Sequence, residues 1–90
     1  MRKITQEDLT RIIGTSCAGY TIEQARVKAG SYSDSDHYGI AYGVREDVID
    51  SPTPYATWEF NFRDGDVPDF YWGRYHEDKN SALRDYEVRD

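Results

Sequence analysis

The densest run of side chains able to do chemistry is Asp34-Ser35-Asp36-His37, two carboxylates beside an imidazole. Carboxylate oxygens and ring nitrogens are metal ligands, so a metal site is the first chemistry to test. A calcium loop opening at Asp34 places Asp36 at its third position and Gly39 at its sixth. Its fifth position is then Tyr38, and its twelfth is Arg45 where a bidentate glutamate belongs. Zinc asks for four ligands, and the chain offers Cys17, His37, His76 and scattered carboxylates. The same run reads more simply as a hairpin loop, with Asp and Ser closing turns on the backbone. His76, in His76-Glu77-Asp78, could act as a general base with a carboxylate partner, or meet His37 across a sheet end. The plainer reading makes Asp78 a helix cap and His76 a strand-end residue. Cys17 lacks a histidine at a spacing that suggests an oriented base, and reads as a small hydrophobe. The leading expectation therefore assigns no catalytic residue, metal ligand or cofactor. The alternative function is a small metal-binding or hydrolytic enzyme using Asp34, Asp36, His37 and His76.

Glycine spacing excludes a phosphate-binding loop: Gly39 and Gly43 lie inside a strand pattern, and Gly14 and Gly19 match neither the P-loop nor the dinucleotide fingerprint. The formal net charge is −6. Residues 1–45 carry six basic and five acidic side chains, net +1, whereas residues 46–90 carry five basic and twelve acidic, net −7. Direct nucleic-acid binding is disfavoured, because it rests on cationic neutralisation of phosphates. A partner with a basic surface suits the acidic half better, although such charge also simply keeps a small domain soluble.

Ninety residues make a single domain, 1–90, with room for one small core. Its volume must come from rings: eight Tyr, three Phe and two Trp against two Leu and one Met. One cysteine excludes an intrachain disulfide and points to the cytoplasm. No stretch approaches the roughly 20 apolar residues of a membrane span.

The elements that must position these groups follow from period and punctuation. A helix over residues 6–13 is predicted, with Thr5 as N-cap, Asp8 completing a capping box, Ile4 and Leu9 as a hydrophobic staple and Gly14 as the stop. Residues 20–29 fit either helix or strand, the strand placing Tyr20 and Ile22 opposite Ala25, Val27 and Ala29. Tyr38–Arg45 is a strand whose small residues Gly39, Ala41 and Gly43 share a face that a large ring can approach. In Tyr55–Arg63, Ala56, Trp58, Phe60 and Phe62 point inward, and Tyr55, Thr57, Glu59, Asn61 and Arg63 outward. Asp64-Gly65 turns the chain into Asp69–His76, where Phe70 and Trp72 share a face opposed by Tyr71, Gly73 and Tyr75. A last helix over residues 79–89 has Asp78 as cap, Ala82, Leu83 and Tyr86 as apolar stripe, and an Asp85–Arg89 pair. The fold class expected is α+β, an antiparallel meander of three to four strands with an N-terminal and a C-terminal helix packed on one face.

On that phase the solvated face carries Tyr55, Glu59, Tyr71 and Tyr75, the candidate protein interface, since tyrosine offers area and a hydrogen bond at low entropic cost. Aromatic cross-strand pairs also stabilise sheets by themselves. The segments Tyr55-Ala56-Thr57-Trp58-Glu59-Phe60, Asp69-Phe70-Tyr71-Trp72-Gly73-Arg74-Tyr75 and Ala82-Leu83-Arg84-Asp85-Tyr86 give residues 38–88 a resemblance to small uncharacterised proteins of Gram-positive phages and conjugative elements. The resemblance implies an accessory or host-interaction role and transfers no functional residue. The expected function is a non-enzymatic protein-binding module, with an inhibitor or an acidic nucleic-acid mimic as special cases. Exposed sheet edges leave the chain a monomer or a homodimer.

Overall fold

Thr5 opens the chain's first helix as expected. Its hydroxyl accepts from the Asp8 N–H at 3.1 Å and the Asp8 carboxylate accepts from the Thr5 N–H at 2.8 Å, a closed capping box. In the computed structural model, which describes residues 2–28, 35–45 and 51–89, that helix is α1, Gln6–Ile12. Then follow β1 (Ser16–Cys17), β2 (Tyr20–Val27), a 3₁₀ turn (Ser35–His37), β3 (Gly39–Val44), β4 (Tyr55–Asn61), β5 (Asp69–His76) and α2 (Lys79–Val88). The five strands form one antiparallel sheet in the order β1-β2-β3-β4-β5, a meander in an α+β fold. The two-residue β1 escaped the sequence reading because it is a hairpin arm. Ala18 and Gly19, both at positive φ (53° and 87°), turn it directly into β2. Residues 20–29 resolve as strand as far as Val27, and Ala29 lies outside the described residues.

The core sits on both faces of the sheet. On one, Ile4, Leu9 and Ile12 pack with Ile22, Trp58, Phe60 and Phe62, so the three inward rings of β4 share the dry interior as their alternation requires. The small residues of β3 admit those rings. A Cβ at Gly39 would stand 2.3 Å from the Phe60 ring, and one at Gly43 would stand 2.8 Å from Trp58. On the other face Ile40, Tyr42 and Val44 pack against Ala82 and Tyr86 of α2. The helices therefore cover opposite faces, not one. On the face where Tyr55, Thr57, Glu59 and Asn61 were expected to meet solvent, α2, which Asp78 caps by accepting from the Ser81 N–H, covers Tyr55 and Thr57, and Glu59 and Asn61 are buried as well.

Two β-bulges reset the alternation. In β2, the register shift between Ile22 and Gln24 brings Ala25 and Val27 onto the core face that Tyr20 and Ile22 already occupy. In β5, Tyr71 pairs with Glu59 and Arg74 with Thr57, so Trp72 and Gly73 together oppose Trp58. Phe70 and Tyr75 consequently face the α1 side, while Tyr71, Arg74 and His76 face the α2 side.

Candidate functional site

The bulge in β5 is formed by Trp72 and Gly73, which together oppose Trp58. A Cβ on Gly73 would lie 2.8 Å from the Tyr75 hydroxyl and 3.0 Å from Trp58 Nε1, so glycine lets both rings approach the backbone closely where the strand swells. Its neighbour Trp72 takes φ 52°, a left-handed conformation uncommon for a bulky side chain. The indole leaves the core and stands 70% exposed, with the Tyr71 ring perpendicular to it at 5.1 Å.

A buried polar network holds this backbone from the α2 side. Arg89, just past α2 and only 6% exposed, donates from Nη1 to Thr57 Oγ1 at 3.0 Å and from Nη2 to the Trp72 carbonyl. Thr57 in turn donates to Asp85 Oδ2 at 2.6 Å, and Asp85 also accepts from Arg74 at 2.7 Å and meets His76 Nε2 at 3.2 Å. Burial pushes the Asp85 carboxyl up, but hydrogen bonds from Thr57, Arg74 and His76 outweigh it and hold the group below its ordinary value. Burial likewise pulls the Arg89 guanidinium down. The expected direct Asp85–Arg89 pair is thus replaced by one bridged through the Thr57 hydroxyl. Arg26 closes the network by donating to the Tyr86, Glu87 and Arg89 carbonyls at the C-terminal end of α2.

The four residues expected at an exposed interface divide. Tyr55 is half-buried and stacks on Tyr42 at 6.5 Å within the α2-side core. Glu59 is 4% exposed and ion-paired with Lys28 at 2.5 Å, so it is part of the interior. Both are corrections: Tyr55 is covered by Tyr86 and Ala82 of α2, and Glu59 is held inside by its ion pair with Lys28. Tyr71 is half-buried, and burial followed by the nearby Glu59 charge pushes its phenol up. Tyr75 is 51% exposed, but it lies on the α1 side against Tyr20 and Trp58. The bulge between them parts Tyr71 from Tyr75. Trp72, assigned by alternation to the core, is the exposed ring that sequence reasoning missed; the adjoining glycine was the available signal.

The chemical alternative is not assembled. Asp34 lies outside the described residues, Asp36 pairs with Lys3 at 3.2 Å, and His37 stands 4.0 Å from Asp36. His76 is bound into the α2 network beside Tyr55, whereas the 3₁₀ turn holding His37 enters β3 opposite Phe60. Those points are five residues apart on β4, about 17 Å at the usual rise. Among the described residues no three His, Cys, Asp or Glu side chains stand close enough to hold a metal ion, and no helix is long and apolar enough to cross a membrane. Cys17 packs against the α1-side core, and burial pushes its thiol up.

The fold and this surface define an α+β domain whose long edge strand, β5, presents an indole from a clamped bulge. No protein-family model, no curated protein and no solved structure matches the chain.

Proposed function

We propose that this chain is a non-enzymatic binding module that docks a basic protein segment along β5, with Trp72 as anchor. The observation that carries the reading is the placement of Trp72: a bulky residue at positive φ, its carbonyl gripped by a buried arginine and its ring in solvent. Strained, over-determined backbone clusters at functional sites, and tryptophan is enriched among residues that dominate binding energy. Among the described residues β5 is the outermost strand and pairs only with β4, so that no described strand occupies its other edge. The charge of the partner follows from the rim. Residues 63–78 carry Asp64, Asp66, Asp69, Glu77 and Asp78 against Arg63 and Arg74, all exposed. A second copy of the chain would set like acidic rims together, which makes a basic partner the better occupant.

The resemblance of residues 38–88 to accessory proteins of phages and conjugative elements supports an inhibitory or host-interaction role. The nucleic-acid mimic draws less support. Asp8, Glu59 and Asp85 are each tied to cations inside the fold and cannot join an outward row of carboxylates.

Selection of random displayed peptides against the folded chain tests the proposal. Enriched peptides should be rich in Lys and Arg, weaken with added salt, and lose binding to Trp72→Ala. Peptides without net positive charge, or equal binding to Trp72→Ala, would refute it.

A further inference from the structure

On the α2 side of the bulge the surface opens into a depression of about 300 Å³ lined by Lys28, Glu59, Trp72, Gly73, Arg74 and Arg89. Three cations meet there in a chain whose formal charge is −6. Two of them are matched: Lys28 pairs with Glu59 at 2.5 Å, and Arg74 with Asp85 at 2.7 Å. Arg89 is not. Its guanidinium donates to two uncharged oxygens, Thr57 Oγ1 and the Trp72 carbonyl, and among the described residues no carboxylate pairs with it directly. The carbonyls that end α2 are taken by Arg26 instead. Burial, and then the Arg74 charge, pull the Arg89 guanidinium down, and Asp85 and Glu59 oppose them only in part. A buried ion without a counter-charge is strongly unfavourable, so the interior here lacks one negative charge.

The depression can receive that charge from outside through groups that solvent reaches. The Arg74 side chain is 58% exposed and spends only Nη1, on Asp85, so Nε and Nη2 remain to donate. Lys28, half-buried, has given one of its three N–H groups to Glu59. Arg89 need not be touched, because its charge acts across the few ångströms between. The size of the missing charge selects the ligand. With the Lys28–Glu59 and Arg74–Asp85 pairs each neutral, a monoanion balances Arg89, whereas a phosphate dianion would leave excess negative charge beside Glu59. A carboxylate is the planar monoanion whose two oxygens match the edge of a guanidinium. We propose that this depression binds a carboxylate, held by the free edge of Arg74 and by Lys28 and drawn by the uncompensated charge of Arg89. The site stands apart from the docking reading, since it takes the opposite charge from the partner that the acidic rim attracts. The group belongs either to a small free acid or to the α-carboxylate of a peptide that ends beside Trp72.

The test is a titration of the isotope-labelled full chain with propionate and with N-acetyl-leucine at constant ionic strength, followed by NMR at the Arg74 Nε–H and the Gly73 backbone N–H. N-acetyl-leucine amide, which lacks the charge, is the control. Both acids should shift the signals saturably with dissociation constants of the order of 1–20 mM, and the amide should bind at least about tenfold more weakly. A severalfold preference for N-acetyl-leucine over propionate assigns the carboxylate to a peptide terminus, and its absence assigns it to a small acid. Arg74→Gln should weaken binding at least about fivefold. Glu59→Gln, which keeps an acceptor for Lys28 and removes a negative charge, should strengthen it severalfold. Arg89→Met should abolish it, and if that variant is too unstable to titrate, the other two decide. Absent saturation, the amide matching the acid, inorganic phosphate dianion binding more tightly than either acid, Arg74→Gln leaving the affinity unchanged, or Glu59→Gln failing to raise it each overturns the proposal. A flat titration beside Trp72-dependent peptide binding sinks this site alone, and a saturable one without such binding sinks the docking reading alone.

Discussion

Arg89→Met asks whether the bulge that presents Trp72 is clamped from behind. The thioether keeps most of the aliphatic volume and removes both bonds of the guanidinium, to Thr57 Oγ1 and to the Trp72 carbonyl. Hydrogen bonds from a charged donor are worth about 1.5–3 kcal/mol each. Part of that is offset, because methionine no longer has to be stripped of water as the buried guanidinium is. Thr57 keeps its bond to Asp85, so the larger loss falls on the Trp72 carbonyl. The net cost should be about 2–3 kcal/mol, which for a domain of this size lowers Tm by roughly 8–20 °C. Calorimetry measures that cost, and hydrogen exchange locates it. Amides of β5 around Trp72 and Gly73 should lose protection while those of β3 keep theirs relative to global unfolding. Arg89→Lys, which retains the charge but not the fork, should fall between. Stability within about 0.5 kcal/mol of wild type, with β5 protection intact, would refute the clamp.

Gly73→Ala should cost about 1–3 kcal/mol in chemical denaturation, since the new methyl meets Trp58 Nε1 at 3.0 Å; no loss would mean that the bulge is not held where it stands. Trp72→Ala should stay within about 1 kcal/mol of wild-type stability while losing peptide binding, because the ring is mostly exposed and its backbone strained; a large loss of stability would return the indole to the core. Phe60→Ala should cost about 3–5 kcal/mol and threaten folding, read as a lowered denaturation midpoint. The Arg2 guanidinium, ahead of the Thr5 bonds, holds the Asp8 carboxyl well below the carboxylate range, and Asp85 is also depressed. Both folded values lie under the unfolded value near ~3.9, so their contribution is full above about pH 5 and disappears as pH falls through the folded values. An acid titration of stability should therefore be steep below about pH 4, and Asp8→Asn should flatten it.

The parts of the fold legible in the sequence are those fixed by neighbours along the chain. Thr5 and Asp8 sit three residues apart and close a cap whatever the rest does; Asp78 opens α2 in the same way. The run from Ala56 to Phe62 puts its four apolar side chains inside because period two alone decides it. What could not be read was any fact set across the sheet. Nothing local to Glu59 says that Lys28, 31 residues away in sequence, will pair with it in the interior. Nothing local to Ile12 and Tyr86 says that their helices take opposite faces.

The bulges show how such non-local demands overrule a local pattern, and why the site was the part that stayed hidden. In β2 the slip is conservative, since it adds Ala25 and Val27 to an apolar face. In β5 it appears wasteful: an unbroken alternation would bury Trp72 beside Phe70 and leave Tyr75 outside. The space next to Trp58 settles the matter. Tyr20 lies 5.4 Å from that indole, Phe70 6.1 Å and Tyr75 6.5 Å, all on the α1 side. A second indole cannot enter so close-packed a ring cluster without strained rotamers or displaced backbone. Advancing the strand by one residue at Gly73 seats the smaller phenol of Tyr75 there and expels Trp72. The core thus needs the bulge but gains nothing from a tryptophan at its crest, where a glycine or asparagine would relieve the positive φ. A side chain that packing does not ask for, in a backbone that disfavours it, is what the proposed docking role accounts for.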